Sequence, residues 1–285
     1  MTEAIPHHGK FIHPHRVFTA FKWLVYILLA WNAFQFFQED LAASAVTFNH
    51  HISWRNVVEA FSASIDTTAW LVLLLVFEFE TAIFTDDQLK GGLKWFLAVL
   101  KVICYFLIIY SFYGYLHKYL VITTLLPFNI ADTCSLVGTG WNYVVNLDDY
   151  LPMDATACAA MQGQELFQVS GTEIVGTREA LDSAWGLAVI DIINSATWLG
   201  IVVLLETEVW MQLRDVLTDR LMKLGKYLKG FLYSILFIAA IYWGFEGSFL
   251  DFWDAFLWLL AFILIELNIF QWHEEVEEVY SADGT

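Results

Sequence analysis

Residues 66–80 read DTTAWLVLLLVFEFE, and the same skeleton returns at 194–208, NSATWLGIVVLLETE, and at 254–268, DAFLWLLAFILIELN. Laid over one another without gaps, the three share the form (D/N)-x3-W-L-x6-E-x-(E/N). Each lies in an apolar run of the kind that crosses a bilayer, which takes about 20 residues of helix for about 30 Å of hydrocarbon. Working outward, six stretches qualify as spans: 18–37, 67–84, 95–115, 186–206, 231–247 and 253–272. The motif sits on the second, fourth and sixth. The odd spans open alike, with Phe21-Lys22-Trp23-Leu24, Leu93-Lys94-Trp95-Phe96 and Leu228-Lys229-Gly230-Phe231. The expected fold is therefore an all-α integral membrane protein of six transmembrane helices, arranged as three inside-start hairpins. Hairpins of one orientation form parallel repeats about an axis along the membrane normal, here with pseudo-threefold symmetry.

Composition agrees. The 285 residues are 58% hydrophobic and 16% charged, against about 25% charged in an average soluble domain. Three Cys exclude a disulfide scaffold, and the apolar content excludes disorder. Fourteen Lys+Arg against 31 Asp+Glu give a net charge of −17, which disfavours nucleic acid as a partner.

Positive residues in short loops are retained in the cytoplasm. Lys10, Arg16, Lys22, Lys90, Lys94 and the cluster Arg214, Arg220, Lys223, Lys226 and Lys229 all fall on one side of the six-span layout. Both termini are then cytoplasmic. The layout divides the chain into an N-terminal tail (1–17), a transmembrane domain (18–272) with an outer cap (127–183) between the third and fourth helices, and an acidic cytoplasmic tail (273–285). The run from residue 18 imitates a signal peptide before Ala43-Ser44-Ala45, but at about 20 residues it is too long for one and is kept as a helix. No Asn-x-Ser/Thr sequon occurs, which favours a bacterial inner membrane.

The cap, rich in scattered Gly and Pro, is expected to be compact and mostly irregular. Cys134 and Cys158 both fall in it, where a disulfide can persist, while Cys104 lies in the third span. Residues 52–66 are expected to lie along the outer leaflet. Residues 211–229 fit either an extension of the fourth helix or an interfacial helix.

Glu78, Glu206 and Glu266 stand at one depth in three equivalent helices. A charge within hydrocarbon costs at least about 2.5 kcal/mol, so such residues are paired, hydrated or protonated. Converging on the axis, they would form a ring that binds a cation or carries protons, and a bound cation is the ligand this implies. Glu80, Glu208 and Asn268 follow two positions later, about 200° around the helix, in pairing roles. Lys101 in the third span needs an acidic partner, and Asp191 in the fourth is a comparable outer-leaflet carboxylate. The competing reading makes the glutamates interfacial, paired with Lys90, Lys94, Arg214 or Lys229. Asp66, Asn194 and Asp254, near the starts of the return helices, read as helix caps.

No phosphate-binding loop, dinucleotide fingerprint, nucleophile elbow or C-x2-C is present, so no catalytic residues are assigned and an ATPase, a dehydrogenase or a serine hydrolase has no support. The histidine spacing names no metal. Three functions stay open: a cation or proton channel or transporter using the intramembrane glutamates, a non-catalytic subunit or scaffold of a membrane complex, and a metal-dependent membrane enzyme using the same acids with His273. Expected partners are the lipid bilayer and either further copies of this chain or other membrane subunits.

Overall fold

In hydrocarbon a backbone finds hydrogen-bond partners only within itself, so long apolar runs close into helices. The computed structural model describes residues 14–48, 57–80, 90–214 and 218–264, and over these the chain is mostly helical with one small sheet. In chain order the elements begin with α1 (Pro14–Thr47), α2 (Val57–Ala60), α3 (Ser62–Glu78) and α4 (Gly92–Thr123). The cap follows with β1 (Leu125–Phe128), β2 (Asn142–Val144), β3 (Tyr150–Pro152), α5 (Ala155–Met161), β4 (Leu166–Val169) and β5 (Ile174–Thr177). Helices α6 (Arg178–Leu213), α7 (Asp219–Glu246) and α8 (249–264) complete the described chain.

Four segments, Val17–Thr47, Gly92–Thr123, Arg178–Glu208 and Arg220–Glu246, are long and apolar enough to cross a bilayer, the pattern of a multi-pass membrane protein in contact with lipid. The second and sixth expected spans fall on α3, of 17 residues, and on α8. One buried cluster unites all six long helices: Val25, Tyr26 and Leu29 of α1, Trp70 and Leu74 of α3, Ile108 of α4, Trp198 and Ile201 of α6, Leu236 of α7, and Leu257 and Trp258 of α8. Lipid tails are as apolar as these side chains, so the cluster is held by close van der Waals contact rather than by escape from water.

The helices overrun the expected spans because polar residues at their ends find protein partners. Helix α1 continues ten residues past 37 to Thr47, carrying Asp40, 2% exposed, to the start of α3. There the Ser64 backbone N–H and hydroxyl donate to Asp40 Oδ2 at 2.9 and 2.6 Å. The stretch 211–229 is neither of the two expected forms alone. Helix α6 ends at Leu213, and α7 starts afresh behind Thr218, whose hydroxyl accepts from the Leu221 N–H at 3.4 Å.

Residues 57–66 form α2 and the start of α3. They fold back onto α4, with Val58 only 2% exposed. The approach is close because α4 presents Gly114. A Cβ there would stand 2.6 Å from the Val58 carbonyl oxygen and 2.9 Å from Ser62 Cβ. The first neighbour is backbone and cannot swing aside. Gly114→Ala is therefore expected to cost about 1–3 kcal/mol, as overpacking does, read as a lower midpoint of unfolding in detergent; an unchanged midpoint would refute the close contact.

The cap is more regular than expected. It holds a five-stranded sheet in the order β1-β4-β5-β2-β3, antiparallel except where β2 runs parallel to β5. Strands of three or four residues are too short to show a two-residue alternation. Between β4 and β5 the turn needs Gly171, at φ +80°, a conformation that costs glycine nothing. Cys134 and Cys158 are joined by a disulfide that ties a 3-10 turn (Thr133–Leu136) to α5, and Cys104 is a free, buried thiol. Leu147, Phe167 and Ile174 of the cap pack onto Leu187, Ala239 and Trp243 of the bundle.

Candidate functional site

Two polar layers lie in the bundle, one beneath the cap and one toward the far end. The first is built from the leading column of the repeated motif. Asp66, Asn194 and Asp254 each precede a tryptophan by four residues, so Trp70, Trp198 and Trp258 stand one turn deeper on the same helix faces. All six residues line one cavity of about 320 Å³ under the cap. Their expected role as caps is not what the structure shows. Helix α3 starts four residues before Asp66 without a side-chain cap. Asn194 is interior to α6. The start of α8 is served instead by Ser248 and Asp251, in which the Ser248 N–H donates to Asp251 Oδ2 at 3.0 Å and the Asp251 N–H to Ser248 Oγ at 3.2 Å.

The wall is strongly acidic. To Asp66 and Asp254 it adds Glu39 and Asp40 from α1, Asp191 from α6 and Asp251, with Asp148 and Asp149 from the β2–β3 turn overhead. Lys118 of α4 answers part of this charge, with Nζ 2.8 Å from Asp148 and 3.8 Å from Asp40. Asn32 donates to Asp254 Oδ1 at 3.0 Å, and the Tyr115 hydroxyl donates to Asp66 Oδ2 at 3.3 Å. Asp66 Oδ1 is buried and accepts no hydrogen bond among the described residues. Around the mouth, burial pushes the Asp251 carboxyl above its ordinary range while the Ser248 bonds pull it back. Burial, with the nearby Asp148 carboxylate second, likewise raises the Tyr150 phenol, which stays protonated and donates to the Leu147 carbonyl at 2.6 Å.

The second layer holds the glutamates singled out in the sequence. Glu78 stands 12 residues beyond Asp66, about 18 Å along the helix. It is 3% exposed, ion-paired with Lys22 and 3.3 Å from the Tyr26 hydroxyl, which donates to it. Glu206 accepts from the Tyr105 hydroxyl at 2.9 Å. Glu80 pairs with Lys101 at 2.9 Å and Glu208 with Lys229 at 2.8 Å. Glu266 and Asn268 lie outside the described residues, as does His273. Asp191 is in the upper layer, far from these.

The sequence carries a second signal for this layer. Lys22, Lys101 and Lys229 are each followed four residues later by a tyrosine: Tyr26, Tyr105 and Tyr233. The contacts favour this Lys-x3-Tyr register of the odd helices over the one that places Lys94 opposite Lys22. In it, Glu80–Lys101 and Glu208–Lys229 are the same contact made twice, both between residues 21 apart.

Among the described residues, no three His, Cys, Asp or Glu side chains stand close enough together to hold a metal ion. Compared with known protein families, with curated proteins and with solved structures, the chain has no match.

Proposed function

We propose that the protein is a cation channel or transporter of a bacterial inner membrane, with both termini cytoplasmic and the cap outside. Six helices then cross the bilayer as three hairpins around a pseudo-threefold axis. One observation carries the reading: a cavity under the cap lined by eight carboxylates, of which Lys118 is paired with two, Asp40 and Asp148. Low-dielectric walls of one sign concentrate counter-ions, so the cavity serves as a receiving site on the outer face. The glutamate layer about 18 Å deeper, with Glu78 and Glu206 among the described residues, lies on the path from that site to the inner face, and the repeated motif offers Glu266 as a third acid for the same role. The paired lysines and tyrosines hold these acids in place between passages. Intramembrane ionisable residues that face a bundle interior commonly mark such paths.

Liposomes containing the purified full chain should pass cations at least about tenfold faster than empty ones, and Glu78→Gln should change the rate by a similar factor. Flux equal to that of empty liposomes, over inorganic and organic cations alike, would overturn the proposal.

A further inference from the structure

The cavity beneath the cap has a chemistry more specific than negative charge. Its volume of about 320 Å³ compares with about 30 Å³ for one water molecule in the liquid, and lies at the lower end of small-molecule sites. Its carboxylates are spread around the wall rather than gathered, since no three of them could share a metal ion. A calcium-like ion would need six to eight oxygens in one shell.

The depth of the cavity is aromatic. Trp70 and Trp198 stand with ring centroids 5.8 Å apart, and Phe262 sits 4.5 Å from Trp198 and 6.5 Å from Trp258, all tilted to one another. Ring faces set at such angles wrap a carbon body and attract a positive charge through their quadrupoles. One turn toward the mouth is Asp66, 8% exposed, with Oδ1 unpartnered. That oxygen is a buried acceptor awaiting a donor, and burial without one is costly. Asp254 takes a bond from Asn32 and Asp66 takes one from Tyr115 on Oδ2, so Asp66 Oδ1 is the buried carboxylate oxygen of the cavity left without a hydrogen bond among the described residues.

Resting on the cation reading above, the geometry points to a small organic primary or secondary ammonium ion as the ligand, its N–H donating to Asp66 Oδ1 and its carbon chain lying on the Trp70–Trp198–Phe262 cluster. A quaternary ammonium has no N–H to offer Asp66. An inorganic cation leaves the aromatic floor unused.

The three tryptophans report occupancy directly. Fluorescence titration of the full chain in detergent would use n-butylammonium as probe, with potassium, magnesium, butyltrimethylammonium and 1-butanol as comparisons. Saturable binding of n-butylammonium at least about tenfold tighter than every comparison, and weakened by about tenfold or more in Asp66→Asn, is the expected result. Trp258→Phe, which keeps an aromatic ring, controls for folding and should weaken n-butylammonium by a smaller factor. Potassium or magnesium binding as tightly as n-butylammonium would overturn the organic ligand while leaving a cation site. Equal binding of butyltrimethylammonium or of 1-butanol would overturn the Asp66 contact, as would unchanged affinity in a folded Asp66→Asn. Failure of every cation to bind would overturn both this assignment and the cation reading beneath it.

Discussion

Lys22→Met is expected to lower the unfolding free energy by about 3–5 kcal/mol, because it strips the counter-charge from a carboxylate buried in the bundle. Glu78 is 3% exposed and Lys22 5%, so water cannot replace the lost partner. Tyr26 is left as a single neutral donor, worth far less than a charge-assisted bond. The effect should reverse when the acid is also removed: in Lys22→Met with Glu78→Met, two side chains of similar length meet in an apolar setting, and such exchanges are often neutral or stabilising. Unfolding of the wild type, both single variants and the double variant in one detergent completes the cycle. Additive losses would show that the two residues act independently and would refute the pair.

Lys118→Met should be comparably damaging for a different reason. Its ammonium lies between Asp40 on α1 and Asp148 in the cap, so it joins two helices to the cap as well as neutralising two acids. Without it the buried Asp40 carboxylate loses its counter-charge and faces Asp148. We expect a loss of about 3 kcal/mol or more, together with faster amide exchange at residues 142–152 of the cap, where the sheet nearest Asp148 lies. Lys118→Arg, which keeps the charge, should restore most of the stability. A Met variant with wild-type exchange in the cap would show that Lys118 does not hold the cap down.

Much of the helical framework could be read in advance, because apolar content over about 20 residues is a coarse signal that survives ignorance of tertiary contacts. Its limits were harder to place. Residues such as Asp40 and Lys118 argue against a continuing helix in hydrocarbon, and only their partners across the bundle make them acceptable there. The sheet of the cap left little trace, since β2 and β3 are three residues each and β2 joins the rest of the sheet through β5, about 30 residues further on.

The repeated motif carries two polar columns, one at its head and one near its end. The glutamates stand out in the sequence because they are acids amid leucines. Asp66, Asn194 and Asp254, at the apolar boundary, resembled ordinary helix starts. What sets them apart is convergence on one cavity, and periodicity along separate helices does not reveal which faces meet. The Lys-x3-Tyr register was recoverable from spacing alone. Lys94 obscured it, by offering a lysine beside a tryptophan just as Lys22 does.

The constant interval between Glu80 and Lys101, and again between Glu208 and Lys229, bears on how the chain is made. At about 5–20 residues per second, a ribosome delivers each lysine about 1–4 s after its glutamate. In the six-span arrangement proposed above, a carboxylate that enters the bilayer on a returning helix would meet its counter-charge on the very next helix to insert, and these charges would be neutralised stepwise during synthesis instead of waiting for the finished bundle.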